Sequence, residues 1–318
     1  MKMALKENYT FKSTDERGTT IHAVKWTPEN GDIKAAIQLN HGMIEYIERY
    51  SEFAEYLADR GFVVMGHDHI GHGESVETHD DWGIIHTGTP SDTLVEDMFT
   101  NYKIIKDQYP DVPFFIFGHS MGSYLLRKFL CTKAPELKGV NGAIICGTGT
   151  VPNSTLNSAL AISGMIMAFK GRDYKSKFLA NASFGKPYKK YDMTGAHPEN
   201  AWLSKNIESV TKYYKDPKDT FEFSVNGYRI LYEACKYDND PKNIALMNKD
   251  MPLLVVSGAD DPVGDAGAGT TEAFNKYKEA GIRDVTLKLF PGDRHEILQE
   301  TDRADVFAFL FDWMTQRM

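Results

Sequence analysis

The chain has 318 residues, of which 42% are hydrophobic and 25% charged, and its formal net charge is −8 at pH 7. A chain of this length and composition can bury a large core, so we expect a globular fold that needs no disulfide or metal to hold it together. The acidic balance argues against a nucleic-acid partner, because binding the phosphate backbone requires a surplus of Lys and Arg.

The N-terminal sequence has no apolar stretch of signal-peptide length, and no window reaches the roughly 18 apolar residues of a membrane span. Three cysteines, Cys131, Cys146 and Cys235, are an odd number and show no C-x-x-C spacing. This pattern is typical of buried thiols in a reducing compartment. We therefore predict a cytoplasmic protein.

Two β-patterned segments near the N-terminus, residues 9–13 and 21–26, flank the turn-forming sequence DERGTT and predict an antiparallel hairpin at a sheet edge. Six short apolar runs then alternate with stretches of helical periodicity. The runs are residues 35–39, 62–65, 114–117, 143–146, 253–256 and 285–290. This alternation predicts an α/β fold with a mainly parallel sheet and helices on both faces.

The alternation fails between residues 151 and 245, where helical pieces and loops surround no convincing buried strand. An excursion of this length is too long for a loop in a compact domain, so we predict a helical insertion over one edge of the sheet. The core then comprises residues 1–150 and 246–318. Within the insertion, residues 170–190 carry seven Lys or Arg and a single Asp. This stretch is a solvated face or a site for anionic lipid or substrate.

Four of the predicted strands end in chemically reactive sequences, and in an open parallel sheet ligands bind at these carboxyl ends. The third apolar run ends in GHSMG, which places Ser120 on a turn between a strand and a helix. A serine hydroxyl needs a base, and the base needs an orienting acid. Asp261 and His295 follow the last two runs. We therefore predict that Ser120, Asp261 and His295 meet above one sheet edge.

Attack by Ser120 on a carbonyl group also requires hydrogen-bond donors for the developing oxyanion. We expect these donors to be two backbone N–H groups, those of Met121, directly after the serine, and of Met43, in the loop after the first run. Because the donors belong to the main chain, their side chains are free to vary.

Several separated segments together resemble the α/β-hydrolase superfamily, and within it the monoacylglycerol lipase, lysophospholipase and serine aminopeptidase group. The segments are HGMIEYIERY (41–50), DHIGHGES (68–75), GHSMG (118–122), WLSKNIESVTKYYKDP (202–217), SGADDPVG (257–264) and PGDRHEILQE (291–300). The resemblance implies that Ser120 is the nucleophile, Asp261 the acid, His295 the base, and Met43 and Met121 the oxyanion-hole residues. It also implies that residues 151–245 form the helical cap, inserted after the sixth strand.

The chain departs from the family pattern in three places. Ile44 stands where the family usually has glycine, and Glu48 stands where it has a small residue. The D-x-R-G-H-G motif of the family lacks its Arg in residues 68–73. These changes spare the three reacting residues and affect the oxyanion loop, and with it the substrate.

Together these features predict a cofactor-independent serine hydrolase that cleaves carboxylic esters through an acyl-enzyme. The resemblance favours monoacylglycerols, lysophospholipids or other small acyl esters. The Met-rich cap suits an acyl chain and predicts transient contact with lipid, and the basic stretch suits an anionic head group.

Alternatives remain open from the sequence. An aminopeptidase could use the same three residues. A metal-dependent hydrolase could instead use the segment HDHIGH (67–72), whose spacing is reminiscent of metal ligands. In that segment, however, Gly71 stands where a ligand motif needs Asp. Asp260 and Asp265 lie near Asp261 and could take its place or cap the helix that follows.

Overall fold

A sheet of eight strands forms the centre of the protein in a computed structural model that describes residues 4–185 and 188–318. The strands in chain order are β1 (Leu5–Lys12), β2 (Thr20–Thr27), β3 (Ala35–Asn40), β4 (Phe62–His67), β5 (Phe114–His119), β6 (Val140–Cys146), β7 (Leu253–Gly258) and β8 (Val285–Phe290). Their order across the sheet is β1-β2-β4-β3-β5-β6-β7-β8. Strands β3 to β8 pair in parallel, whereas β1 and β2 form an antiparallel edge.

The sheet is covered on both faces because its strands point alternate residues in opposite directions. On β3, Ala35, Ile37 and Leu39 pack into one cluster, and Ala36 packs into the other. The first cluster includes side chains from α1 (Ser51–Ala58) and α10 (Arg303–Thr315). The second includes α2 (Pro90–Gln108), α3 (Met121–Thr132) and α9 (Ala268–Glu279). The predicted parallel sheet with helices on both faces and the edge hairpin are thereby confirmed.

The segment between β6 and β7 is built from helices. They are α4 (Asn153–Lys170), α5 (Lys177–Ser183), α6 (Ile207–Lys215), α7 (Val225–Asp238) and α8 (Pro241–Ile244). The described residues of this segment form two isolated bridges and no strand. Helix α7 packs against α2, α3 and α4, which fastens the insertion to the core. The exact boundaries of core and cap, at residues 150 and 246, stay a prediction.

The outer surface of α4 and α5 exposes large apolar side chains beside basic ones. Phe169 is 87% exposed, Phe178 60% and Met165 57%. Arg172 from the basic stretch forms an ion pair with Glu16, and Lys186 lies outside the described residues. The contact of this surface with lipid stays a prediction.

Two further findings concern the cysteines and the length of the helices. Cys131, Cys146 and Cys235 are buried free thiols, as predicted. Across the described ranges, no helix is both long enough and apolar enough to span a membrane.

Candidate active site

The turn between β5 and α3 places Ser120 at the first turn of a helix in a strained backbone conformation. Its φ of 52° and ψ of −121° are unfavourable for any residue with a side chain. Neighbouring glycines permit the tight turn: a Cβ on Gly118 would lie 2.4 Å from the carbonyl oxygen of Gly122, and one on Gly122 would lie 2.3 Å from that of Asn40. The two glycines of GHSMG are therefore required by close backbone approach, as the motif predicts.

The structure brings His295 together with Asp261. The Nδ1 atom of His295 lies 3.0 and 3.1 Å from the two carboxylate oxygens of Asp261. The same carboxylate accepts hydrogen bonds from the Ser257 hydroxyl, at 2.7 Å, and from the Val263 N–H, at 2.9 Å. Asp261 is thus a buried, fully bonded acid that fixes the orientation of one imidazole edge.

Electrostatics keep the Asp261 carboxylate charged despite its burial. Desolvation alone would raise its pKa, but the charge of His295 and the hydrogen bonds from His295, Ser257 and Val263 outweigh that effect, so the pKa is lowered. Asp260 and Asp265, the alternatives left open by the sequence, are both exposed, and neither is hydrogen-bonded to His295. Among the three acids, the structure pairs Asp261 with the histidine.

Ser120 and His295 line one cavity of about 40 Å³. Its other walls come from the loop after β3, the cap, and the residues flanking Ser120 and His295: Met43, Ile44, Glu45, His119, Phe184, Trp202, Leu203, Tyr213 and Glu296. Met43 and Met121, the predicted oxyanion donors, lie on the two segments that meet at Ser120, since Met43 lines the cavity and Met121 is the first residue of α3. The sequence-predicted site residues are therefore gathered at one sheet edge.

Glu45 joins the parts of this site and was not foreseen from the sequence. Its buried carboxylate accepts hydrogen bonds from the Gly42 N–H, from the Tyr50 hydroxyl at 2.9 Å and from Arg49 at 2.9 Å, and it lies 3.1 Å from Nδ1 of His119. Burial would lower the pKa of His119, but the hydrogen bond and charge of Glu45 raise it. The loop after β3 and the turn that carries Ser120 are thus joined by a charged hydrogen bond.

Ile44, the residue that replaces the family's usual glycine, adopts a left-handed backbone with a φ of 56°. This region strongly favours glycine, and a β-branched residue there is strained by roughly 1–2 kcal/mol. The Tyr213 hydroxyl of the cap donates a hydrogen bond to the Ile44 carbonyl at 3.2 Å. The isoleucine at this position therefore places a branched side chain in the cavity wall, at a cost in backbone energy.

The HDHIGH segment forms the end of β4 and the buried loop that follows it. Asp68 accepts hydrogen bonds from His22, from the Ile47 N–H at 2.7 Å and from the Glu74 N–H at 2.9 Å. Desolvation lowers the pKa of His67 and of His72 to about 3, so both rings are neutral. In the part of the chain that the structure describes, no group of three or more His, Cys, Asp or Glu is arranged to hold a metal ion.

Comparison with known families and curated proteins places this chain among hydrolases. Residues 31–302 match the model of the Hydrolase_4 family, described as serine aminopeptidase, S33. A monoglyceride lipase homolog of Monkeypox virus is 28% identical over 291 residues, which are 90% of this chain and 91% of that protein. The monoglyceride lipase of Mus musculus is 26% identical over 304 residues, covering 92% of this chain and 86% of that one.

Solved structures share the whole architecture. A thermostable carboxyl esterase from Bacillus coagulans, in complex with glycerol, superposes with a TM-score of 0.88 at 25% identity over 98% of each chain. A lipase in an open form gives 0.86 at 25% identity, over 98% of this chain and 99% of the other. The monoglyceride lipase of Saccharomyces cerevisiae gives 0.73 at 20% identity, over 99% and 95% of the two chains. The predicted fold class is confirmed by these likenesses.

Proposed function

Since this chain belongs to the Hydrolase_4 family (serine aminopeptidase, S33) and is an ester hydrolase of the α/β-hydrolase type, we propose that Ser120, His295 and Asp261 are its catalytic residues. One observation carries the proposal. Ser120, on the strained turn, lines the same cavity as His295. The Nδ1 atom of that histidine is hydrogen-bonded to Asp261, a buried and charged carboxylate. This is the arrangement that a serine nucleophile requires.

In the proposed reaction, the Oγ atom of Ser120 attacks the ester carbonyl carbon while Nε2 of His295 takes the hydroxyl proton. The backbone N–H groups of Met43 and Met121 hold the developing oxyanion. His295 then gives the proton to the oxygen of the leaving alcohol, and the C–O bond breaks to leave an acyl group on Ser120. Water attacks the acyl-enzyme by the same route, which releases the carboxylic acid and restores the serine.

We propose a monoacylglycerol, or another small ester with one acyl chain such as a lysophospholipid, as the substrate. The matched relatives are monoglyceride lipases by name, and the cavity beside Ser120 has apolar walls in Phe184, Trp202 and Leu203. The lysines near α4 and α5 suit an anionic head group.

The labelling of Ser120 tests the proposed chemistry directly. A fluorophosphonate probe reacts with a serine only when a base activates it, so we expect one stable adduct on the peptide that contains Ser120. The Ser120→Ala variant should give none, although it folds and unfolds like the wild type. Ester hydrolysis that persists in that variant, or an adduct at another residue, would overturn the assignment.

The choice between ester and amide hydrolysis follows from the charges at the cavity. An aminopeptidase needs an acid free to hold the substrate ammonium group, but Glu45 and Glu296, the two acids of the cavity, both bond Arg49. We therefore expect kcat/KM for a monoacylglycerol to exceed that for an aminoacyl amide by at least about 10²-fold. A steady-state panel of a monoacylglycerol, a lysophospholipid, a short neutral ester and an aminoacyl anilide measures this. Preference for the anilide contradicts the ester assignment.

The same panel tests the role proposed for the basic stretch. We expect the lysophospholipid to be cleaved faster than the short neutral ester. Equal rates on the two remove the proposed role of the lysines and leave the ester assignment standing.

A further inference from the structure

The loop that carries His295 is fastened to a short segment of the cap, residues 199–205. The guanidinium group of Arg294 donates to the carbonyl oxygen of Ala201, and the N–H of Glu296 donates to that of Leu203 at 2.7 Å. These bonds flank His295 on both sides in the chain. The position of the histidine is therefore coupled to the cap as well as to the core.

Glu300 also joins the His295 loop to this segment of the cap. This fully buried carboxylate accepts hydrogen bonds from the Ser204 hydroxyl at 2.8 Å, from the Lys205 N–H at 2.9 Å and from the Arg294 N–H at 2.8 Å. Lys205 also forms an ion pair with the buried Asp293 at 2.7 Å. Hydrogen bonds to a buried carboxylate are among the stronger ones in proteins, so this segment is firmly held.

Trp202 lies in the middle of this segment and stacks on the His295 imidazole. The two ring centres are 5.0 Å apart and their planes are inclined by 27°. Phe184 and Tyr188 pack against the indole with ring centres at 5.9 and 5.3 Å. The His119 ring, 4.7 Å from that of His295, completes the aromatic surroundings of the imidazole.

We infer that Trp202 is a positioning residue for His295. This inference rests on the proposed role of His295 as the base. The hydrogen bonds to Asp261 fix one edge of the imidazole but leave the ring free to swing about that edge, and the indole surface restricts this swing. The electron-rich face of tryptophan also attracts a cation, so it favours the imidazolium that forms when Ser120 loses its proton.

Substitutions at residue 202 separate an aromatic face from a simple apolar cover. We expect Trp202→Leu to lower kcat for a short ester, and the rate of fluorophosphonate labelling at Ser120, by on the order of tenfold. KM should change by less than about threefold, because the inferred role of Trp202 is in the proton transfer to His295 and not in ester binding. We expect Trp202→Phe, which keeps an aromatic face, to recover most of both rates.

The matched control is Trp82→Leu, which removes a tryptophan stacked on His79, with ring centres at 4.3 Å, outside the cavity. It should leave kcat within about twofold of the wild type. Thermal unfolding of every variant identifies those that fold poorly, and Trp202→Met serves as the apolar replacement if Trp202→Leu does not fold.

Two results would overturn the inference. A raised KM with unchanged kcat and labelling rate in Trp202→Leu makes Trp202 a wall of the substrate site only. Equal losses of kcat in Trp202→Leu and Trp202→Phe show that an aromatic face is not what matters. Wild-type protein and Ser120→Ala are labelled in parallel: an absence of adduct in the wild type rejects the proposed function itself, independently of residue 202.

Discussion

Replacing Asp261 with asparagine should lower kcat by about 10⁴-fold while the fold is retained. Asparagine has nearly the same shape, but its amide nitrogen would face the imidazole where a carboxylate oxygen now accepts, 3.0 Å from Nδ1. The proton would then be held on the wrong nitrogen, so Nε2 could not take the proton of Ser120. The imidazolium would also lose the negative charge that stabilises it.

The neighbouring acid supplies the matched control for this prediction. Asp260→Asn removes one exposed carboxylate in the same loop and should leave kcat within about twofold of the wild type. Steady-state kinetics on a short ester, with circular dichroism to confirm the fold, measures both variants. If Asp260→Asn lost more activity than Asp261→Asn, the pairing of Asp261 with His295 would not be the one used in catalysis.

Replacing Gly122 with alanine should both destabilise the protein and reduce its activity. The new Cβ would lie 2.3 Å from the carbonyl oxygen of Asn40 and 2.5 Å from that of His41. Both are backbone atoms, which cannot rotate away, so β3 or α3 has to move. We expect a loss of about 2–4 kcal/mol in the free energy of unfolding. Because Met43 lies two residues after His41 in the same loop, kcat should fall by at least about 10²-fold as well.

Gly88→Ala is the control for the loss of a glycine. An added Cβ at that exposed position meets no heavy atom closer than 4.0 Å, and the backbone there does not need a positive φ. Urea denaturation should place this variant within about 0.5 kcal/mol of the wild type. If Gly122→Ala were as stable and as active as Gly88→Ala, the turn at Ser120 would have to accommodate a Cβ, which contradicts the close backbone approach at Gly122.

The sequence was informative where chemistry follows a strand end. Ser120, Asp261 and His295 lie in the loops that follow β5, β7 and β8, and parallel strands bring their carboxyl ends to one edge, so their proximity could be deduced without coordinates. Asp261 could be chosen over Asp260 only through the family resemblance. Which of two adjacent loop carboxylates faces His295 depends on how this loop packs against the loop after β8, and the local sequence does not show that packing.

Other features of the structure depend on contacts between distant residues and could not be predicted from the local sequence. The bounds of α2 are hard to read from the sequence because its buried face carries polar residues such as Asp97 and Asn101, which interrupt the apolar periodicity. Their partners are distant in the chain: the Ser13 hydroxyl donates to the Asp97 carboxylate, and the Tyr9 hydroxyl donates to Oδ1 of Asn101. The stacking of Trp202 on His295 likewise joins residues 93 positions apart in the chain, so it depends on the packing of cap on core.

The left-handed backbone of Ile44 has a practical meaning for protein engineering. The Gly42 N–H donates to the Glu45 carboxylate, and the Tyr213 hydroxyl donates to the Ile44 carbonyl, so neither of the bonds that hold this loop involves the side chain at 44. The stability of the backbone and the selectivity for acyl groups are therefore opposed at this one position. A glycine there would relax the main chain and widen the cavity, whereas the isoleucine keeps the cavity narrow. A library built at residue 44 would vary the size of accepted acyl groups without altering Ser120, Asp261 or His295.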